Sequence, residues 1–127
     1  MRALVIDDSR AMRRIVGGIL EGYGFEIAQA GHGGEALDVM QSGFLPDLAC
    51  IDWNMPVMDG LQFVMATRAN PAYRQVTLMM VTTESETGQI VKALAAGAHE
   101  YLIKPFTADA VGDKLALLGL LPTEVPA

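Results

Sequence analysis

The sequence predicts an α/β fold, a parallel sheet of five strands wound with five helices, and three observations carry that expectation. Short apolar runs alternate with segments of helical periodicity along the whole chain. The run Asp47 to Ile51 is apolar as in a strand covered on both faces, and strand–helix alternation with right-handed crossovers covers both faces of a parallel sheet in that way. The first, third, fourth and fifth runs each finish on a polar residue: Asp7-Asp8, Asp52, Thr82 and Lys104.

Ala3-Leu4-Val5-Ile6 is the first strand. Asp8 or Ser9 then caps a helix with Met12, Ile15, Val16, Ile19 and Leu20 at helical spacing. Gly17-Gly18 within it costs about 1 kcal/mol per residue against alanine, which close packing or local loosening has to absorb. Gly24 closes this helix, and Phe25 to Ala30 alternates as a strand on the outer side of the sheet. Gly33-Gly34 introduces a second helix, Glu35 to Gln41, with Ala36, Leu37 and Met40 inward. After Pro46, the run Asp47 to Ile51 is a buried strand that ends at Asp52.

A turn through Met55-Pro56 leads to a third helix from about Asp59 to Arg68, bearing Leu61, Phe63, Val64 and Met65. Asn70-Pro71-Ala72 reads as a loop, and Thr77 to Val81 as a strand ending at Thr82-Thr83. Thr83-Glu84-Ser85-Glu86 has the form of a capping box, with Thr83 as the cap of a fourth helix that runs to Gly97. His99 to Ile103 is the fifth strand, Lys104-Pro105 a candidate cis bond, and Thr107 to about Leu118 the last helix. The expected organisation is one domain over residues 1–121 and a short tail over 122–127 marked by Pro122 and Pro126.

With 127 residues and half of them hydrophobic, the chain can bury a core without disulfides or metals as staples. No apolar run approaches the roughly 20 residues of a membrane span, and Met1-Arg2-Ala3 leads into a strand rather than a signal-peptide core, so cytoplasmic location is expected. The lone Cys50 falls in a buried strand and reads as core packing, compatible with a reducing compartment. A net charge of −6 with few, scattered basic residues argues against nucleic-acid binding. His32 and His99 have no ligand partners at suitable spacing, and His99 is expected at the surface of an output face. Met55, Met58, Met65, Met79 and Met80 read as gap-fillers. Leu115, Leu117, Leu118, Leu120 and Leu121 exceed what one helix face can bury, so either the chain end folds back or the excess is a partner or dimer surface.

In a parallel sheet the polar tips meet at one edge, where open α/β sheets bind ligands. Taken alone, Asp52 fits a strand cap, Asp7-Asp8 a helix cap, Thr82 an ordinary strand residue, Lys104 a solvated strand end and Tyr101 plain core packing. Together they bring three carboxylates to one place, which is costly at neutral pH unless a cation shares the site. A hard divalent ion suits such oxygens, and Mg²⁺ suits them best when two carboxylates bind directly and waters or phosphate oxygens complete the octahedron. A lysine and a hydroxyl beside the metal suggest a phosphoryl group.

The set Asp7-Asp8, Met12-Arg13-Arg14-Ile15-Val16, Asp52-Trp53-Asn54-Met55-Pro56, Met58-Asp59-Gly60, Thr82, Gly97-Ala98, Tyr101 and Lys104-Pro105-Phe106 resembles the receiver domain of bacterial two-component response regulators, most of all the chemotaxis receivers of CheY type. The resemblance implies a flavodoxin-like fold with strand order 2-1-3-4-5. It further implies Asp52 as phosphoacceptor from a phosphohistidine on a sensor histidine kinase, with Mg²⁺ on Asp8, Asp52 and the Asn54 backbone carbonyl and with Asp7 acting through a water. Lys104 and Thr82 would hold phosphoryl oxygens, and Thr82 moving inward would let the Tyr101 ring turn, changing the face of the fourth helix, fifth strand and fifth helix. Asn54 and Glu84 would flank the attacking water and give a short-lived phosphorylated state.

The implied protein is a stand-alone switch rather than an enzyme. Its output would be protein binding, in chemotaxis the flagellar switch, with a dimer through the same face also allowed. A phosphorelay shuttle, or a single receiver in another two-component pathway, is the alternative. An Asp-nucleophile Mg²⁺-dependent phosphatase would carry a second acid two residues after the nucleophile, where this chain has Asn54. A flavin carrier would need a phosphate-cradling loop after the first strand, and none is present.

Overall fold

The computed structural model describes residues 1–83 and 87–121. Along the chain lie β1 (Arg2–Ile6), α1 (Arg10–Gly22), β2 (Glu26–Ala30), α2 (Gly33–Gln41), β3 (Leu48–Asp52), α3 (Gly60–Ala69), a 3₁₀ turn (Pro71–Tyr73), β4 (Thr77–Thr83), α4 (Thr87–Ala96), β5 (Glu100–Lys104) and α5 (Ala108–Leu117). All strand pairs are parallel and the sheet order is β2-β1-β3-β4-β5, the flavodoxin-like doubly wound arrangement.

Successive side chains of a strand point to opposite faces, and both faces are covered, which explains the continuous apolar runs. Leu4, Ile6, Ala49, Ile51, Leu78 and Met80 pack against Ala36, Met40, Phe63, Val64 and Ala93 of α2, α3 and α4. Ala3, Val5, Cys50, Met79, Val81 and Leu102 pack against Val16, Leu20, Val111 and Leu115 of α1 and α5. Cys50 is core, and burial pushes its thiol up to about 12, which leaves it inert.

Several boundaries and burials differ from expectation, each for a local reason. Ile15 and Met65 are more than half exposed, because they lie on the outer faces of α1 and α3. Met65 therefore fills no gap. Gly17 packs beside Ile27 and Gln29 of β2, whereas nothing among the described residues crowds Gly18 or explains it. The second helix starts two residues early, since His32 Nδ1 accepts the Glu35 N–H at 3.1 Å and serves as N-cap. Asn70-Pro71-Ala72 is no plain loop: the Asn70 side chain caps a 3₁₀ turn that buries Tyr73.

β4 continues through Thr83, which pairs with Lys104, so Thr83 is a strand residue rather than a helix cap. Residues 84–86 of the expected capping box, Glu84 among them, lie outside the described residues.

The leucine excess resolves largely through residues 118–121, which turn back after α5, while the expected tail over 122–127 lies outside the described residues. Gly119, at φ 72°, ends α5 in the left-handed conformation, and the Leu120 N–H reaches back to the Leu115 carbonyl at 2.9 Å. Leu118, Leu120 and Leu121 thereby pack on the core under α1 and α5, and Leu117 alone of the five stays largely exposed.

At the sheet end opposite the polar tips, Arg68 gathers four carbonyls. Its Nε donates to Gly97 at 3.0 Å, Nη1 to Tyr73 at 3.3 Å and Arg74 at 3.2 Å, and Nη2 to Val76 at 2.7 Å. Nη2 also lies 3.2 Å from His99 Nδ1, which accepts the Leu78 N–H at 3.1 Å. His99 is exposed, as expected, but its ring is turned onto α3 and β4 rather than presented on an α4–β5–α5 surface. Partial burial and the Arg68 charge hold His99 below its ordinary pKa.

Candidate functional site

β1 delivers Asp7 to the C-terminal edge of the sheet, and the ladder carries on through its N–H to the Ala30 carbonyl at 3.1 Å. Asp7 is 4 % exposed, and its Oδ1 accepts the Ser9 N–H at 2.9 Å, fixing the turn into α1, for which Ser9 is the N-cap. Arg13, one turn into α1, donates to the Asp7 carbonyl at 2.6 Å. Asp8 is exposed beside it.

β3 delivers Asp52, 9 % exposed and level with Val81 of β4. The chain then leaves the sheet with the Trp53 N–H on the Val81 carbonyl at 3.3 Å, and returns with the Gly60 N–H on the Trp53 carbonyl at 3.0 Å. Asp59 caps α3 and forms a capping box with Gln62. A Cβ on Gly60 would lie 2.8 Å from the Asp52 carbonyl oxygen and 2.7 Å from Met80 Cε, so only glycine lets α3 start this close to the tip of β3. The connecting loop holds a strained turn: Val57 sits at φ 69°, with the Met58 N–H on the Pro56 carbonyl at 2.7 Å, an unfavourable conformation for a β-branched residue.

The four tips converge only in part by direct contact. Asp7, Asp8 and Asp52 each offer a carboxylate oxygen, and these atoms all lie within 4.8 Å of one another. Lys104 Nζ stands 3.2 Å from Asp52 Oδ1 and 3.6 Å from Asp7 Oδ2. The expected cis bond joins Lys104 to Pro105. Thr82 is buried on β4, one residue past the partner of Asp52 and level with Ile103. Asn54 is exposed in the loop after β3, and Tyr101 is half-buried in β5.

Three carboxylates around one ammonium leave the site electrically unbalanced. Burial first, then the Asp7 charge, push Asp52 up to about 6; the charge and hydrogen bond of Lys104 pull the other way, and Asp8 adds a further upward push. A divalent cation answers that imbalance, and the donor set fits one. In an Mg²⁺ octahedron with bonds of about 2.1 Å, neighbouring and opposite oxygens are roughly 2.9 and 4.2 Å apart. Carboxylate oxygens within 4.8 Å of each other thus need little movement for two to bind directly and the third through water.

A pH effect follows. The folded chain holds Asp52 at about 6 against 3.8 for the free side chain, so the fold favours the protonated acid. With the cation chelated, this group opposes folding most above about pH 6, and that opposition is relieved as the pH falls towards its unfolded value. Urea denaturation in EDTA should therefore show Asp52 contributing a gain in stability between about pH 7 and about pH 5, and excess Mg²⁺ should abolish that gain. The contribution is the difference between wild type and Asp52→Asn; an identical pH dependence in the two proteins would contradict it.

A doubly wound parallel sheet with three clustered carboxylates that suit a divalent cation, and a lysine beside them at its C-terminal edge, is the architecture of a phosphorylation-controlled signalling module. The chain belongs to the response regulator receiver domain family, which it matches over residues 3–116. It is 37% identical over 119 residues to the chemotaxis protein CheY1 of Helicobacter pylori, covering 93% of this chain and 96% of that one. The structure of the chemotaxis response regulator CheY4 of Vibrio cholerae is similar at a TM-score of 0.84 and 34% identity, covering 92% and 97% of the two chains. The receiver domain of NtrX from Brucella abortus is as alike in shape, with a TM-score of 0.83, 27% identity and coverage of 93% and 97%. Family membership makes this chain a two-component signalling module, with chemistry confined to its own phosphorylation and dephosphorylation. No helix among the described residues is long and apolar enough to cross a membrane.

Sequence reasoning named Gly60 only as part of a motif and missed its role as the point where α3 meets Asp52. The signal was present, a glycine directly after the Asp59 cap. It named Arg68 only as a helix end, since nothing in a lone arginine there announces four carbonyls gathered from residues 73–76 and Gly97.

Proposed function

We propose that residues 1–121 form a receiver that takes a phosphoryl group from a sensor histidine kinase onto Asp52, in the cytoplasm, and signals by protein binding in chemotaxis. The observation that carries this reading is the Lys104 ammonium held between Asp52 and Asp7 within a carboxylate cluster at one sheet edge. The name of the Helicobacter pylori relative supports the chemotaxis assignment.

Asp8, Asp52 and the Asn54 backbone carbonyl would hold Mg²⁺, with Asp7 acting through a water. Bound there, Mg²⁺ supplies positive charge to the phosphoryl oxygens. An Asp52 carboxylate oxygen attacks phosphorus, the phosphorus–nitrogen bond to the kinase histidine breaks, and that nitrogen keeps the electron pair. Lys104 then pairs with one phosphoryl oxygen and the Thr82 hydroxyl donates to another. Thr82 and Tyr101 together form the switch, while Asn54 and Glu84 set the rate of hydrolysis. The output surface would be α4, β5 and α5, where Val91 and Leu94 are exposed and an open groove of about 420 Å³ runs past Tyr101, Ile103, Pro105 and Phe106.

Incubation with acetyl phosphate and Mg²⁺ should add one hydroxylamine-labile phosphoryl group, and EDTA should prevent it. The labelled protein should then bind a flagellar switch protein and lose that affinity as the label hydrolyses. Efficient transfer of the label to a histidine phosphotransfer protein, with no binding to the switch protein, would replace the chemotaxis reading with a relay shuttle.

A further inference from the structure

β5 is an edge strand, and a charged side chain from one layer of the molecule wraps around that open edge to a ring packed on the other. Lys114 belongs to α5, on the α1 side of the sheet, while the Tyr101 ring packs partly against the core beneath α2, α3 and α4. Lys114 Nζ lies 4.5 Å from the centre of the Tyr101 ring, within cation–π range. The same ammonium is 2.9 Å from Glu100 Oε1, and that oxygen also accepts the Tyr101 N–H at 3.0 Å.

An ion pair on an open surface contributes little. This one differs, because the side chains are only 24 % and 20 % exposed and the pair closes on the backbone and ring of a single residue. Tyr101 and Lys114 also line the open groove on β5 and α5, so the ring is held at the groove.

We infer that Lys114, anchored by Glu100, is a positioning residue for Tyr101: it pins the ring at the groove and thereby restrains phosphorylation of Asp52. The inference rests on the proposed Thr82–Tyr101 switch. A ring that turns inward towards Thr82 leaves the ammonium, so the pin favours the groove position. Coupling is reciprocal: whatever favours the groove position disfavours the state that phosphorylation favours. Loss of the pin therefore eases labelling.

The test uses Lys114→Met, Glu100→Gln and Lys114→Arg, with Lys114→Met also combined with Tyr101→Leu. Two quantities are read: the Tyr101 ring signals by NMR without a phosphodonor, and the initial rate of labelling by acetyl phosphate with Mg²⁺. Lys114→Met should shift the ring signals and speed labelling about threefold to tenfold. Glu100→Gln should do the same more weakly. Lys114→Arg, which keeps a cation over the ring, should restore the wild-type rate, as loss of packing alone would not predict. In the Tyr101→Leu background the acceleration should vanish.

Unmoved ring signals, an unchanged rate in Lys114→Met, or an acceleration that persists without Tyr101 would each overturn the assignment. If the wild type takes no label on Asp52, the proposed function fails separately. The ring signals, read without donor, still decide whether Lys114 pins Tyr101.

Discussion

Asparagine at position 52 is expected to abolish labelling by acetyl phosphate and, in EDTA at neutral pH, to make the fold about 1–2 kcal/mol more stable than wild type. The two effects have one origin. An amide oxygen is no nucleophile towards phosphorus under these conditions, so no acyl phosphate forms. The same substitution removes a carboxylate that burial and Asp7 push up to about 6, a carboxylate the fold holds at a cost when ionised. The stated gain is smaller than the full shift implies, because Lys104 loses its partner at 3.2 Å and the site edge is wetted by solvent. Labelling and urea denaturation on the same preparation separate the possibilities. Loss of label with loss of stability would mean that the variant is merely unfolded, and undiminished labelling would remove Asp52 from the chemistry.

Arg68→Ala should cost about 3 kcal/mol or more, among the largest effects of any single substitution outside the apolar core. The guanidinium joins the Gly97 carbonyl, between α4 and β5, to those of Tyr73, Arg74 and Val76, before β4. Alanine leaves those acceptors without their charged donor and removes a partner from His99. Lysine should rescue little, since one ammonium cannot match a planar fork that reaches several acceptors at once. The denaturation midpoint reads the loss, and labelling of the folded fraction should persist because Arg68 sits at the opposite sheet end from Asp52. A stability within about 1 kcal/mol of wild type would show that water replaces the arginine adequately.

Much of the fold was legible because its signals are local. Apolar runs marked most strands and alternation marked the one after Gly24, the spacing of Val16 with Leu20 and of Ala36 with Met40 marked helices, and Ser9 stands where a capping residue should. The candidate site was legible for a related reason. A parallel sheet brings every strand's last residue to one edge, so Asp7, Asp52 and Lys104 could be placed together once the strands were placed.

What failed were judgements that depend on neighbours remote in the chain. Thr83 carries the letters of a helix cap, yet its backbone pairs with β5 and the ladder claims it for the sheet. Ile15 and Met65 carry apolar letters at helical spacing, yet no element among the described residues buries them.

Alone, then, the sequence determined the order of the elements, the parallel winding and the polar strand tips, because propensity and periodicity act within a few residues. Tertiary structure decided which lysine shields which carboxylate, that Gly60 must admit α3 against Asp52, and that Lys114 rounds the sheet edge to Tyr101. These arise from contacts between residues far apart in the chain, whose distances exist only once the layers have packed.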